Sequence, residues 1–475
     1  MRSSETAGID ITGLTADSRL VQPGFLFAAL PGGRADGRDY IADAVRRGAV
    51  CVLAAPGTPL PGEALASQVP LIADDNPRRR FALMAARFYG RQPNVVCAVT
   101  GTNGKTSVVS FLRQIWTRLG HAAASLGTLG VAAPALERTG SLTTPDPVSL
   151  HAVLADLADS GVKRLAMEAS SHGLDQFRLD GVRIAGAAFT NLTRDHLDYH
   201  GTMEAYLQAK LRLFSELAEP GGAAVICADD PHADRVARIA TGHRLRVTTY
   251  GRAGEDLRIV ARESTAEGQR LVVLADGVRR EVMLPLAGDF MAANALAAAG
   301  LAIATGGKAD AVFAALETLE PVRGRLERVA SAGGAAVYVD YAHTPDALQV
   351  ALRALRPQAG RLSVVFGCGG DRDPGKRPEM GRIAAENADR VIVTDDNPRS
   401  EEPASIRRAI LQGCPDAIEI GDRAEAIRAG IRALQPGDVL LVAGKGHETG
   451  QIVGGRVLPF DDADAVRAAV REVGA

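Results

Sequence analysis

A glycine-rich loop holding a lysine and a threonine, set between an apolar strand and a helix, can bind a phosphate chain. This chain carries one at Thr100–Ser107 (TGTNGKTS). Gly101 and Gly104 let the backbone turn tightly, so the amides of Thr102 and Asn103 and the helix start near Ser107 can face an anion. Lys105 would reach the β- and γ-phosphates, and the Thr106 hydroxyl would bind Mg²⁺. The longer GxxxxGK[ST] loop wants a glycine where Val99 stands. The shorter loop weighs against ordinary GTPases and kinases. The bland alternative is a glycine-rich helix entry with a surface lysine.

Two later segments are rich in metal-ligand types: MEASSHGLDQFRL at Met167–Leu179 and TNLTRDHLDYHG at Thr190–Gly201. Mg²⁺ prefers oxygen, so Glu168 is the natural candidate, whereas His196 is an unusual ligand for it. Downstream, EAYLQAKLRLF at Glu204–Phe214 has a helical pattern, on which a lysine such as Lys210 ordinarily faces water. One string occurs twice, DDNPR at Asp74–Arg78 and at Asp395–Arg399. Asp-Asn-Pro is good turn and helix-entry chemistry, and the first copy is read as a helix start. FGCGGD at Phe366–Asp371 lacks the full GxGxxG and is not read as an NAD site.

Elements must place these residues. With 475 residues, 46% hydrophobic and 23% charged, about three ordinary globular domains are expected. Short β-rich runs (Val95–Gly101, Arg361–Gly367, Arg390–Asp396, Asp438–Gly444) alternate with Ala/Arg/Leu-rich helical stretches. That alternation predicts α/β layers with mostly parallel sheets, whose carboxyl edges bind ligands. Boundaries near Tyr89–Asn94 and Glu320–Gly324 divide the chain into 1–92, 93–320 and 321–475. The expected class is α/β in three domains: a smaller N-terminal α/β domain, a central P-loop-type mononucleotide-binding parallel sheet with helices, and a C-terminal Rossmann-like α/β domain.

The net charge of −2 gives no sign of a nucleic-acid partner. Five scattered cysteines without a CxxC pair argue for reduced thiols in the cytoplasm. No leader pattern opens the chain, and apolar runs such as Asn294–Ala304 are too short to span a bilayer. A soluble, cytoplasmic protein is expected, working as a monomer and without a membrane.

GTNGKTS resembles the shortened nucleotide loop of the Mur ligases and folylpolyglutamate synthetases, which join an acid to an amine through an acyl phosphate. MEASSHGLDQFRL, TNLTRDHLDYHG, GDFMAANALAAAG (Gly288–Gly300), GRLERV (Gly324–Val329), VDYAHTPDAL (Val339–Leu348), FGCGGDRDPGKRPEMG, TDDNPRSEEP and GKGHE (Gly444–Glu448) follow in Mur ligase order over nearly the whole chain. The resemblance implies that Thr106 and Glu168 hold one Mg²⁺ on ATP. His196 and Lys210, the latter carbamylated by CO₂, would help hold a second. It places Asn294, Arg325, Asp340, Tyr341 and His343 near the nucleotide. It places Ser18 and the Ala35–Tyr40 loop on a UDP-sugar, and Thr143, Thr144, Ser170, Gln176 and Arg178 on the attached peptide.

The ordered set of third-region motifs resembles the C-terminal domain of the Mur ligase that adds the third peptide residue. Its expected partners are a UDP-N-acetylmuramoyl dipeptide and meso-diaminopimelate, with Asp396, Asn397, Pro398, Arg399, Arg372, Gly444 and Glu448 on the latter. Diaminopimelate carries a distal ammonium–carboxylate pair. Arg372 and Arg399 can clamp the carboxylate, and Asp396 and Glu448 can accept from ammonium groups. Alternatives remain: a lysine-adding member of the family, a folylpolyglutamate synthetase-like ligase, a phosphotransferase of another class, and a silent nucleotide-binding protein.

Overall fold

In the computed structural model, the structure describes residues 9–32, 35–134, 136–138, 140, 142–265 and 268–473. The stretch read for a leader begins in residues 1–8, outside the described residues.

Among the described residues three main sheets follow one another along the chain. The first has four parallel strands in sequential order, Gly13–Thr15, Phe25–Ala28, Cys51–Ala54 and Leu71–Ala73. The second has 11 strands. Its parallel centre places Val95–Thr100 between Ile184–Phe189 and Arg164–Glu168. Strand order reverses there, so the loops leaving these three strands open a crevice at one edge. The third sheet has six strands. Val439–Ala443 lies between Ala335–Asp340 and Leu362–Phe366, with Arg390–Val393 beyond. All but its first pairing are parallel.

Fully buried strands read as continuous apolar runs: every residue of Val439–Ala443 and of Leu362–Phe366 is buried. The helix Lys105–Arg118 buries Val108, Val109, Phe111, Leu112, Ile115 and Trp116, an i, i+3/i+4 stripe against the central sheet. Each such side chain contributes about 1.5–3 kcal/mol of burial, which anchors the loop that precedes the helix. One hydrophobic cluster runs on from this helix through Asp289–Ala304 to Pro345–Leu355 of the third region.

The expectation of mostly parallel sheets needs one addition. Leu257–Thr265, Gly268–Ala275 and Val278–Leu284 form an antiparallel meander on the flank of the central sheet. Gln269, Leu271, Val273 and Ala275 turn one face into the core, and Asp276-Gly277 (φ +51° and +71°) makes the two-residue turn between the last two strands. The five cysteines are buried and free. Among the described residues no helix is long and apolar enough to cross a membrane.

Candidate active site

The loop Gly101–Gly104 bends where the sequence supplies glycine. Gly101 has φ +145° and Gly104 φ +88°. A Cβ on Gly101 would lie 1.9 Å from Thr190 Oγ1, and one on Gly104 2.4 Å from Asn294 Oδ1. Asn294 is buried in its helix and thus sits directly against the loop. Gly104 caps the helix without a side-chain partner, leaving its N-terminal amides for an anion. Lys105 Nζ folds back onto the carbonyls of Gly101 (3.0 Å) and Thr102 (2.8 Å). Burial lowers its pKa, while the charges of Glu168 and Asp195 oppose that shift. The loop is tied to the neighbouring strand end, Asn103 N donating to Asn191 Oδ1 at 2.9 Å. It also meets the third region: Arg325 Nη2 donates to Thr106 Oγ1 (3.2 Å) and Asn103 Nδ2 to Asp346 Oδ2 (3.3 Å).

Glu168 closes its strand and is buried. Its carboxylate accepts from Thr128 N at 2.8 Å and from Thr128 Oγ1 at 3.2 Å. His196 sits in the left-handed region (φ +54°), its Nε2 3.4 Å from Asp195 Oδ2 and its ring 4.9 Å from that of His172. Desolvation in the cleft lowers the His196 pKa, so the imidazole is neutral at pH 7 and keeps a free lone pair.

Lys210 departs from the ordinary reading of its helix. It faces inward and is 1% exposed. Nζ donates to Gly101 O at 2.8 Å and lies 4.3 Å from the centre of the Tyr206 ring. Burial first, and the charge of Lys105 second, push its pKa well below the usual lysine value.

The residues expected around the peptide form one network. Thr143 Oγ1 bonds Thr128 Oγ1 (3.0 Å), and Thr144 Oγ1 donates to Glu168 O (3.1 Å) and accepts from Ser170 N (3.0 Å). Arg178 Nη1 donates to Thr144 O at 2.7 Å and Nη2 to Gln176 Oε1 at 2.7 Å. Ser18 is not part of this network. It is buried in a short turn of the first region, its hydroxyl on Asp43.

In the third region Asp340 is buried at a strand end and accepts from Leu326 N (2.6 Å) and Ala342 N (2.7 Å). Burial raises its pKa to about 6 against the pull of Arg325. His343 Nδ1 bonds Tyr341 O at 2.9 Å, and Arg325 stacks 4.5 Å over the Tyr341 ring. Arg399 (φ +54°) donates from Nη1 to Gly370 O at 2.8 Å. A Cβ on Gly369 would lie 2.6 Å from Arg399 Nη1 and 3.8 Å from Arg372 Cγ, so both arginines come close to this one glycine. Asp396 and Asn397 are buried, and Asn397 Nδ2 donates to Glu448 Oε2 at 2.8 Å. A cavity of about 880 Å³ runs between the second and third regions. Its walls hold Asp195 and His196 at one side and Arg372, Asp396, Arg399 and Glu448 at the other.

The two DDNPR copies fold differently. Asn76 caps the helix Pro77–Tyr89 by accepting from Arg79 N at 3.0 Å, with Pro77 in the first turn. The second copy starts no helix. Its Arg399 pairs with Val453, and the next helix waits until Pro403. Asn76→Ala is therefore expected to cost about 0.5–2 kcal/mol of stability in urea unfolding, with amine-substrate KM unchanged.

Several residues at the cleft carried no signal of their own in the sequence. Thr128 holds Glu168, Asp195 neighbours His196, and Lys376 donates to His343 O at 2.8 Å. Buried Lys445 lies under Glu448. A polar residue within two positions of a motif residue was the available cue for Asp195 and Lys445, and Thr128 offered none.

The fold and this crevice define an α/β mononucleotide-binding enzyme of three successive sheets. Family models described as "Mur ligase family, catalytic domain", "Mur ligase middle domain" and "Mur ligase, glutamate ligase domain" match residues 10–89, 99–302 and 324–446. The chain belongs to the Mur ligase family. It is 57% identical over 469 residues to a UDP-N-acetylmuramoyl-L-alanyl-D-glutamate–2,6-diaminopimelate ligase of Bradyrhizobium diazoefficiens, covering 98% of this chain and 96% of that protein. A protein of the same name from Agrobacterium fabrum is 55% identical, covering 99% and 95%. A solved structure of a ligase of that name superposes with TM-score 0.72 at 34% identity, covering 98% of this chain and 96% of that one.

Proposed function

We propose that the chain joins meso-2,6-diaminopimelate to the D-Glu γ-carboxylate of UDP-N-acetylmuramoyl-L-Ala-D-Glu, at the cost of ATP, as a cytoplasmic monomer. The observation that carries it is the shared cavity. One wall bears the phosphate loop's neighbours, and the other bears two arginines beside two carboxylates.

The γ-carboxylate attacks the ATP γ-phosphorus, giving ADP and an acyl phosphate. The diaminopimelate amine, unprotonated at that moment, attacks the acyl carbon. An amide forms and phosphate leaves. Lys105 and the helix amides stabilise the charge moving onto the phosphates. Ser18 and the Ala35–Tyr40 loop take the UDP end, and Thr143, Thr144, Ser170, Gln176 and Arg178 take the peptide. Asn294, Arg325, Asp340 and His343 surround the nucleotide. Arg325 on Thr106 and Asp346 on Asn103 couple the third region to the loop.

Among the described residues no three His, Cys, Asp or Glu side chains cluster as a metal cage. That suits Mg²⁺, which keeps waters and phosphate oxygens among its ligands. The buried Glu168 carboxylate and the Thr106 hydroxyl would hold one ion, and neutral His196 with carbamylated Lys210 a second. Bound there, Mg²⁺ neutralises charge on the phosphates.

The test is phosphate release with ATP, Mg²⁺ and the UDP-muramoyl dipeptide, with either meso-diaminopimelate or L-lysine. Release with diaminopimelate alone is expected. Release with lysine alone would keep the ligase and overturn the arginine clamp. The full-length relatives named as diaminopimelate ligases do not favour the lysine-adding or folylpolyglutamate alternatives.

A further inference from the structure

Lys445 lies between two glycines of positive φ, Gly444 (+116°) and Gly446 (+54°), and its side chain is fully buried. A buried cation persists only when its hydrogen bonds and charge are met. Its Nζ donates to Asn397 Oδ1 at 3.1 Å and to Glu448 Oε2 at 3.0 Å. Asn397 Oδ1 also accepts from Ile452 N at 2.9 Å. Two donors on Oδ1 allow the amide one orientation, which turns Nδ2 toward Glu448 Oε2 at 2.8 Å.

Glu448 Oε2 is thus taken by two donors, one charged. Glu448 also lines the cavity, where its other oxygen is left for a ligand. Asp396 lines the same cavity, and its Oδ2 is buried with no hydrogen-bond partner among the described residues. Gly444 gives that oxygen room, since a Cβ there would lie 2.6 Å from it. A buried, unpartnered carboxylate oxygen calls for a donor from outside the protein.

We infer that Lys445 is a positioning residue for the second substrate, fixing Asn397 and Glu448 so that Glu448 Oε1 and Asp396 Oδ2 together receive the ammonium of an amino-acid zwitterion. The inference rests on the reading of diaminopimelate as the amine. Lysine suits the role because it donates in several directions and accepts nothing, so it can hold Asn397 and Glu448 at once without competing for the incoming ammonium. It acts through Glu448 and does not touch the reacting atoms.

Steady-state kinetics of the full chain test this, with KM measured separately for diaminopimelate, ATP and the UDP-dipeptide. Lys445→Met is expected to raise the diaminopimelate KM roughly 30-fold or more, as when a buried charge pair loses a partner. The other two KM values are expected to stay within about 3-fold, since Glu448 is read as a contact of the amine substrate alone. Glu448→Gln is expected to raise the same KM. Lys445→Met/Glu448→Gln should fall well short of the product of the single effects, because both act on one carboxylate. That double variant, which removes both charges together, carries the test if the single one does not fold. An unchanged diaminopimelate KM, or an equal rise of all three with a fall in Tm, overturns the inference. A wild-type chain that ignores diaminopimelate overturns the substrate reading instead, so the two failures are distinct.

Discussion

Lys210→Ala is expected to lower ligation at least about 10²–10³-fold, the loss typical of removing a charge-stabilising group from an active site. The argument starts from the helix Met203–Arg212, which turns this one lysine inward. Its Nζ has a carbonyl and an aromatic ring for company, and no ion pair to a carboxylate among the described residues. Burial penalises the ammonium, and the nearby Lys105 charge penalises it further, so the amine is held well below its usual pKa. A neutral amine has the lone pair needed to add to CO₂. The N–C bond forms, the amine gives up a proton, and the product is an anion of carboxylate type. The remaining N–H can still meet Gly101 O. Carbamylation as proposed would replace a disfavoured cation by a group that complements Lys105 and a bound cation. In the alanine variant the vacated space can admit a short carboxylic acid, so formate or acetate should restore part of the activity. Intact-protein mass spectrometry under bicarbonate should show one added CO₂ on wild type and none on the variant. Full activity without added acid would sink the carbamate.

The fold class was legible because its signals are local. Apolar runs ending in glycine or aspartate, each followed by a helical pattern, predict parallel α/β sheets, and the described strands Val95–Thr100, Leu362–Phe366 and Val439–Ala443 are such runs. The meander at 257–284 went unread because its alternation and its Asp276-Gly277 hairpin turn mark an element and no chemistry. The inward face of Lys210 was also invisible to periodicity, since a lysine on an amphipathic helix ordinarily faces water; only the family resemblance singled it out. Lys445 went unread for a related reason. Its partners Asn397 and Glu448 belong to two different loops, and only the pairing of the Val393 and Ala443 strand ends with Phe366 between them brings those loops together. The repeated DDNPR string shows the limit of local reading: one copy starts a helix, and the other gives Asp396, Asn397 and Arg399 to a cavity wall.

Arg399→Ala is expected to weaken diaminopimelate binding by about 2–5 kcal/mol, with ATP affinity little changed. The residue is held in the left-handed region by two contacts, its N–H on Ile452 O at 3.0 Å and the Gly454 N–H on its own carbonyl at 2.7 Å. That backbone sends the guanidinium across Gly369 toward Gly370 O, where Nη1 is engaged. Arg399 makes no close ion pair among the described residues, although Asp371 feels its charge, so the guanidinium can still meet a carboxylate from outside. Arg372 lies by the same glycine, its Cγ 3.8 Å from where a Cβ there would stand. Two guanidiniums with one carboxylate between them discriminate by charge. A substrate lacking the distal carboxylate, such as L-lysine, would leave both cations facing each other across the site. The variant should therefore lose more with diaminopimelate than with lysine, narrowing the preference as well as raising KM. Lys in place of Arg should recover only part of the loss, because a single ammonium cannot reproduce the two-pronged contact. Measured by competition between the two amines, an unchanged preference in Arg399→Ala would remove this residue from the site and leave Arg372 to carry the selection.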